Sequence, residues 1–169
     1  HCTGFAQSND WINYTNGNEI RGIVETENSY WIGTNGGLVE INKSADETIF
    51  YNVSNSDLPG NTIWALTYNE NGDLWVGTER GLVLINNDGW QVFDTSNSGL
   101  PHNQIRKIAI DSNGDKWIAT RNGLAHYTDS EWIIYNEENS ALPVNDISEI
   151  AINQNDEKIH INSLITSSF

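Results

Sequence analysis

The side chains best suited to binding chemistry are the four arginines of the chain, Arg21, Arg80, Arg106 and Arg121. The formal net charge is −15 and only eight residues are Lys or Arg, so each arginine is a scarce cation. A guanidinium offers a planar fork of donors to a carboxylate or sulfate, and it stacks on sugar or aromatic faces. Two of the arginines follow a repeated Trp-Ile/Val-Gly/Ala-Thr motif and two follow an isoleucine that opens an apolar run, so the repeat must position them.

The repeat is a nine-residue phrase that occurs at 30–38, 74–82 and 116–124. Its tryptophans, Trp31, Trp75 and Trp117, lie 44 and 42 residues apart. Between them stand short apolar runs rich in β-branched and aromatic residues, separated by Asn-, Gly- and Ser-rich turns, which is typical of strands joined by hairpins. The first run of each repeat is expected at Ile20–Glu25, Ile63–Tyr68, Ile105–Ile110 and Ile147–Ile152. Four such strands in about 42 residues predict one β-propeller blade.

We therefore predict an all-β fold, a β-propeller of four-stranded antiparallel blades with about three complete blades and one partial blade. The chain has no Met and its fourth copy lacks the Gly-Leu pair, so we expect a fragment of a larger propeller. The alternative is a closed four-bladed ring in which residues 11–15 supply the missing outer strand. Residues 1–7 are interpreted as a signal-peptide remnant or a disordered N-terminus, and residues 8–169 as propeller repeats. The blades are expected at approximately 18–52, 61–95, 103–137 and 145–169, with 11–15 as an outer strand.

The motifs recur in a fixed order: Leu-Pro-x-Asn-x-Ile, an apolar strand, a turn with Gly-Asp, then Leu-Trp-Val-Gly-Thr-x-x-Gly-Leu. This order resembles the two-component regulator propeller repeat. The match is close in Leu58–Ile85 and Leu100–Tyr127, fair in Asn18–Ile41 and partial in Leu142–Asn162. The resemblance implies an extracytoplasmic (periplasmic or secreted) propeller. In that family such propellers form the sensor region of hybrid two-component receptors, often sense oligosaccharides, and also occur in secreted proteins.

In a propeller, the loop entering each innermost strand and the loop joining the second and third strands open on one face. We predict that this face binds an anionic or sugar-like small molecule, such as an oligosaccharide. The alternative is that its arginines pair with neighbouring Asp and Glu and only balance charge. The candidate ligand-binding residues are Arg21, Asn35, Glu79, Arg80, His102, Arg106, Arg121 and Asn122. By contrast, Trp31, Trp75 and Trp117 are expected in the core between blades, and the repeated Asn61, Asn103 and Asn145 are expected to bond loop backbone.

Several other functions are disfavoured by the sequence. The strongly negative charge argues against nucleic acid as a partner, and no apolar run approaches the roughly 20 residues of a membrane helix. Cys2 is the single cysteine, and no metal-ligand or catalytic constellation stands out, so we predict no metal, no cofactor and no catalytic residue. The acidic segment 111–115 is expected to be a hairpin turn and not a calcium loop.

Two alternatives to a ligand sensor stay open. The related streptogramin lyases are propellers that use a catalytic His and a bound Mg²⁺, and this chain has His102, His126 and His160. A structural propeller that docks another extracytoplasmic protein is the second alternative. Open blade edges would in addition allow self-association.

Overall fold

Alternating apolar residues bounded by turn-forming residues make the chain fold as a series of short strands. The computed structural model describes residues 19–45, 47–128 and 130–152 in full, and the backbone of 159–163. The strands are β1 (Ile20–Glu25), β2 (Ser29–Thr34), β3 (Leu38–Asn42), β4 (Thr48–Tyr51), β5 (Ile63–Tyr68), β6 (Leu74–Thr78), β7 (Leu82–Asn86), β8 (Gly89–Phe93), β9 (Ile105–Ile110), β10 (Lys116–Thr120), β11 (Gly123–Tyr127), β12 (Trp132–Tyr135), β13 (Ile147–Ile152) and β14 (Ile159–Ser163). No helix long and apolar enough to cross a membrane occurs in these ranges.

The strands form sheets in chain order. The first three sheets have four antiparallel strands each, β1 to β4, β5 to β8 and β9 to β12, and β13 pairs with β14 in a two-stranded sheet. The innermost strands β1, β5, β9 and β13 lie side by side, so the sheets stack face to face as propeller blades do. The predicted all-β propeller fold is therefore confirmed.

In the second and third sheets, one side chain stabilises the turn that joins the first strand to the second. In the second sheet, Oδ1 of Asn69 accepts the backbone N–H groups of Asn71 and Asp73 at 3.1 and 2.8 Å. Gly72 then takes a φ of 94°, in the region that glycine occupies without steric cost. The same turn recurs in the third sheet, where Asp111 replaces Asn69.

The blades interlock through an isoleucine that enters a gap beside a small residue. A Cβ placed on Gly33 would lie 2.7 Å from Cγ2 of Ile63, and one on Gly77 would lie 2.6 Å from Cγ2 of Ile105. The third interface has Ala119 at the equivalent position, in one core cluster with Ile147. The first strand of each following sheet is thus held against the second strand of the sheet before it.

The repeated tryptophans pack against an aromatic residue of the outermost strand. Trp31 stacks on Tyr51 and Trp75 on Phe93, with ring centroids 5.8 and 5.9 Å apart. Trp117 stacks on Tyr135 at 5.9 Å. Trp31 and Trp75 are buried in the cores between sheets, whereas Trp117 is partly buried. The predicted segment 1–7, the outer strand at 11–15 and the chain after Ser163 lie outside the described residues.

Candidate functional site

Every innermost strand carries a β-bulge at its second residue. In β1 the register passes from Ile20↔Thr34 to Gly22↔Gly33, so Arg21 has no partner across the sheet. The same shift occurs in β5, β9 and β13. A bulge leaves one residue out of the ladder and re-aims its side chain. We call the four residues concerned the bulge row: Arg21, Trp64, Arg106 and Ser148.

The bulge row lies on the face where the predicted ligand loops open. The start of β1 pairs with the end of β2, and the other innermost strands pair in the same way. The loops that follow Thr34, Thr78 and Thr120 therefore flank the bulge row. Four of the predicted candidates, Asn35, Glu79, Arg80 and Arg121, lie in these loops, and Asn122 completes the third loop.

Arg21 and Trp64 contact each other across two neighbouring blades. The guanidinium carbon of Arg21 lies 4.0 Å from the ring centroid of Trp64, which is within the range of a cation–π contact. Nη2 of Arg21 also donates to Oε2 of Glu19 at 2.9 Å. Arg21 Nε and Trp64 Nε1 are both buried, and neither finds a hydrogen-bond acceptor in the described part of the chain. The contact between these two side chains therefore holds two buried N–H donors that have no acceptor among the described residues.

The third blade presents an arginine beside a carboxylate. Nη2 of Arg106 lies 3.1 Å from Oδ1 and 3.2 Å from Oδ2 of Asp146, and only the contact with Oδ2 has hydrogen-bond geometry. Nε of Arg106 and Oδ1 of Asp146 are buried and, within the ranges described, have no hydrogen-bond partner. The pair therefore keeps one unused donor and one unused acceptor. Of the arginines, Arg21 and Arg106 do pair with acidic neighbours, as the charge-balancing alternative expected.

The loop residues divide into structural and exposed groups. Oε2 of Glu79 accepts the backbone N–H of Thr62 at 2.8 Å, and its carboxylate fills the space beside Gly60, so Glu79 joins two loops. Nδ1 of His102 accepts the backbone N–H of Gln104 at 2.9 Å and shapes its own loop. Oδ1 of Asn35 is buried and unpaired among the described residues.

The remaining predicted candidates are exposed. Arg80, Arg121 and Asn122 extend into solvent. Among the residues that the structure describes, the guanidinium groups of Arg80 and Arg121 form no ion pair or hydrogen bond. They provide positive charge near the bulge row without being fixed in it.

The loops around the site share the same backbone supports. The hydroxyls of Thr34, Thr78 and Thr120 each donate to a glycine carbonyl three residues on and accept the N–H two residues on. The side-chain oxygens of Asn61, Asn103 and Asn145 accept the N–H groups of Val53, Thr95 and Glu137. The repeated asparagines therefore act on loop backbone, which fixes the rim of each blade.

Trp64 and Asp146 are site residues that the sequence analysis did not select. Trp64 occupies the same repeat position as Arg21 and Arg106, immediately after the isoleucine that begins the strand. That alignment was available in the sequence. The contact of Asp146 with Arg106 was not, because the two residues are 40 positions apart and meet only when neighbouring blades stack.

A second polar cluster lies at the opposite end of the third sheet. Ligand-type atoms of Asp111, Asp115 and His126 lie within 4.8 Å of one another. Oδ1 of Asp111 accepts two turn N–H groups, and its Oδ2 accepts the indole N–H of Trp117 at 2.9 Å. Nε2 of His126 lies 3.1 Å from Oδ2 of Asp115, and its ring stacks on Trp117 at 3.9 Å. These contacts give the cluster a structural role in the hairpin.

Comparison with known proteins identifies the repeat. The model of the family "Two component regulator propeller" matches residues 57–80. The extracellular domain ascribed to a hybrid two-component system of B. thetaiotaomicron aligns at 25% identity and a TM-score of 0.69, over 80% of this chain and 19% of that chain. Residues 57–80 thus match the two-component regulator propeller repeat, and the predicted resemblance to that repeat is confirmed.

More distant structures share the fold. PorZ, a surface component of the type-IX secretion system of Porphyromonas gingivalis, aligns at 18% identity and a TM-score of 0.69, over 86% of this chain and 25% of that one. Virginiamycin B lyase from Staphylococcus aureus aligns at 15% identity and a TM-score of 0.62, over 88% and 56%. No curated protein matches the chain. The chain spans about a fifth to a quarter of the length of the first two structures.

Proposed function

We propose that this chain is part of an extracytoplasmic sensor or recognition propeller that binds a small polar ligand at the bulge row. One observation carries the proposal: Arg21 Nε, Trp64 Nε1 and Arg106 Nε are buried on three neighbouring blades and lack acceptors among the described residues. A buried donor without a partner costs about 1–3 kcal/mol. Ligand oxygens that accept these N–H groups would recover that free energy on binding.

The chemistry of the bulge row favours an oxygen-rich ligand. The arginines provide cations in a chain of net charge −15, so a carboxylate or sulfate would gain charge-assisted hydrogen bonds. The indole of Trp64 provides an aromatic surface and a donor, and the Arg106 and Asp146 pair offers a donor beside an acceptor. A sugar hydroxyl can use both at once. We propose an oligosaccharide or another anionic or polar small molecule as the ligand class.

The extracytoplasmic location is proposed on the same footing. It is supported by the extracellular domain of the hybrid two-component system and by the surface component PorZ, both of which share the fold. We propose binding without catalysis, because the likeness to virginiamycin B lyase at 15% identity concerns the fold alone. His102, the histidine on the ligand face, has its Nδ1 occupied by a backbone N–H.

The test is a binding titration with matched neutral and acidic oligosaccharides, in which binding is measured by tryptophan fluorescence and by calorimetry. We expect Trp64→Ala and Arg106→Ala each to weaken binding by roughly 10-fold or more, since one charge-assisted hydrogen bond contributes about 1.5–3 kcal/mol. Arg80→Ala and Arg121→Ala should weaken binding of acidic ligands less, and in a salt-dependent way, because their guanidinium groups are exposed.

Lys43→Ala is the matched control for charge. It removes one cation whose ammonium binds Glu25 and the Thr26 carbonyl, at the other end of the first sheet. We expect ligand affinity to stay at the parent value. Equal binding by the parent and by the Trp64, Arg106, Arg80 and Arg121 variants would refute the site, and no saturable binding of any member of the panel would refute the ligand class.

A further inference from the structure

A cleft of about 360 Å³ lies between the first and second sheets, at the end opposite the bulge row. We call it the interblade cleft. Side chains of both sheets line it: Trp31, Glu40, Tyr68, Leu74 and Ile85. The turns at 26–28 and 86–87 complete the lining. A cleft of this volume can hold a small organic molecule. The interblade cleft contains no member of the bulge row, so it is a separate candidate site.

Glu40 brings a negative charge into the interblade cleft. Its Oε1 accepts the hydroxyl of Ser29 at 2.7 Å, and its Oε2 accepts the hydroxyl of Tyr51 at 2.9 Å. Both donors are neutral, and Glu40 forms no ion pair with any residue that the structure describes. Lys43, a lysine of the same sheet, pairs with Glu25 instead. The carboxylate of Glu40 therefore has hydrogen-bonding capacity and charge left for an added cation.

The aromatic partner for such a cation stands beside the carboxylate. The register pairs Glu40 of β3 with Trp31 of β2, so the two side chains share one face of the first sheet. An indole ring attracts a cation through its π face, and a carboxylate accepts charge-assisted hydrogen bonds from an ammonium group. Together, Trp31 and Glu40 offer the two kinds of contact that an organic ammonium group uses.

The interface between the second and third sheets already holds an ammonium group at the equivalent place. Lys116 begins β10 as Leu74 begins β6, and Lys116 is only 3% exposed. Its Nζ lies 5.4 Å from the ring centroid of Trp75 and 5.8 Å from that of Tyr127. Trp75 is the repeat equivalent of Trp31. The spacing of these sheets therefore accommodates an ammonium group over a repeated tryptophan.

The two interfaces carry opposite charges at equivalent positions. The second interface has Lys116, and the residue opposite its tryptophan is Leu84. The first interface has Leu74 in place of the lysine, and the residue opposite its tryptophan is Glu40. Leucine is shorter than lysine and uncharged, and the interblade cleft lies beside Leu74. The first interface thus supplies an anion and space where the second supplies its own cation.

We propose that the interblade cleft binds the primary ammonium group of an alkylamine, between the ring of Trp31 and the carboxylate of Glu40. The net charge of −15 raises the local concentration of cations around the protein and favours such a ligand. A free alkylamine and the side chain of a lysine in a peptide carry the same group, so the experiment must distinguish these sources. This inference does not depend on ligand binding at the bulge row.

The first experiment is a calorimetric titration of the 169-residue chain with n-butylamine, with Nα-acetyl-lysine amide and with uncharged 1-butanol. We expect saturable binding of butylamine and none of butanol. Glu40→Gln should weaken amine binding at least about 10-fold, because it removes a charged hydrogen-bond acceptor. Glu138→Gln is the matched control, since Glu138 is exposed in the loop after β12, and it should bind as the parent does.

The outcomes of the titration separate the two sources of the ammonium group. Binding of the capped lysine as well as butylamine extends the ligand to peptides, and binding of butylamine alone restricts it to free amines. On addition of butylamine, the indole N–H resonance of Trp31 should shift, whereas that of Trp64 in the bulge row should not. The proposal is overturned if neither amine binds, if Glu40→Gln binds like the parent, or if Trp64 shifts in place of Trp31.

Leu74→Lys provides a second test that needs no ligand. It gives the first interface the lysine that the second interface has, so its own ammonium group should occupy the interblade cleft and abolish butylamine binding. Glu40→Gln should then lower the urea midpoint more in the Leu74→Lys protein than in the parent. An equal effect in both proteins, or unchanged butylamine binding by Leu74→Lys, would contradict the proposal. The Glu40→Gln titration remains decisive if Leu74→Lys does not fold.

Discussion

The substitution Gly77→Ala tests whether the fit between blades is as tight as the structure indicates. A Cβ at this position would lie 2.6 Å from Cγ2 and 3.0 Å from Cβ of Ile105, and 3.2 Å from Cβ of Ala65. All of these atoms belong to packed strands, and none is the end of a flexible side chain. The neighbouring blade must therefore shift to admit the methyl group.

The expected free-energy change is the balance of two effects. Overpacking a filled core costs about 1–3 kcal/mol. Replacing glycine by alanine in an extended strand reduces the entropy of the unfolded chain and returns about 0.4–1 kcal/mol. We therefore expect a net loss of about 1–2 kcal/mol of unfolding free energy. Since a change of 1 kcal/mol shifts the melting temperature of a chain this long by about 2–4 °C, the loss is measurable by thermal melting.

Gly22→Ala is the matched control, because its added Cβ would find Leu66 Cβ at 3.9 Å as its nearest neighbour. It should be neutral or slightly stabilising. The second arm is Gly77→Ala combined with Ile105→Leu, which removes the β-branch that makes the clash and keeps the volume. Urea unfolding, monitored by tryptophan fluorescence, measures five chains: the parent, Gly77→Ala, Gly22→Ala, Ile105→Leu and the combined variant. The reasoning fails if Gly77→Ala is as mild as Gly22→Ala, or if Ile105→Leu does not reduce its cost.

Two further predictions concern groups away from the blade interface. Thr78→Val removes a buried hydroxyl that donates to the Gly81 carbonyl and accepts the Arg80 N–H. We expect this variant to lose about 1–3 kcal/mol of unfolding free energy. Thr95→Val is the control, because Thr95 is exposed and its substitution should leave the unfolding free energy unchanged. Burial, and then the hydrogen bond to Glu40, raise the pKa of Tyr51 from 10.0 to about 12, so its neutral form stabilises the fold fully below pH 10 and this contribution is lost as the pH rises towards 12. Between pH 10 and 12, the unfolding free energy of Tyr51→Phe should therefore fall less with pH than that of the parent. If the difference in unfolding free energy between the two proteins stays constant across that window, the assignment is contradicted.

The innermost strands were predictable to the residue. The expected runs Ile20–Glu25, Ile63–Tyr68, Ile105–Ile110 and Ile147–Ile152 are the observed β1, β5, β9 and β13. Each run begins with an isoleucine after a loop and, in the second and third repeats, is followed by an Asn or Asp that forms a turn. These strand ends are set by residues only a few positions away, so they can be predicted directly from the sequence. Where both limits are strong, strand boundaries need no tertiary information.

The site was only partly predictable because a bulge changes which residue reaches the rim. Simple alternation along β5 would place Ile63 and Ala65 on one side and Trp64 on the other. The bulge instead separates Ile63, which is directed at the first sheet, from Ala65, which packs towards Ile105. Glu79 is the opposite case. Its loop position predicted a ligand contact, whereas in the structure its carboxylate accepts the backbone N–H of Thr62. Both outcomes depend on contacts between residues that are 12 or more positions apart in the sequence.

At each bulge, two adjacent residues have different roles. The isoleucine stabilises the packing between blades, and the bulged residue after it sets the chemistry of the rim. Ile63 is fully buried against Gly33 and fixes where β5 begins. Trp64, the next residue, leaves the ladder and meets Arg21 of the preceding blade. A change at the isoleucine therefore moves the strand and everything it carries, whereas a change at the bulged residue alters one side chain at the rim. The four bulged residues here are Arg, Trp, Arg and Ser after an unchanging isoleucine, so the rim can vary in chemistry over a constant packing scheme.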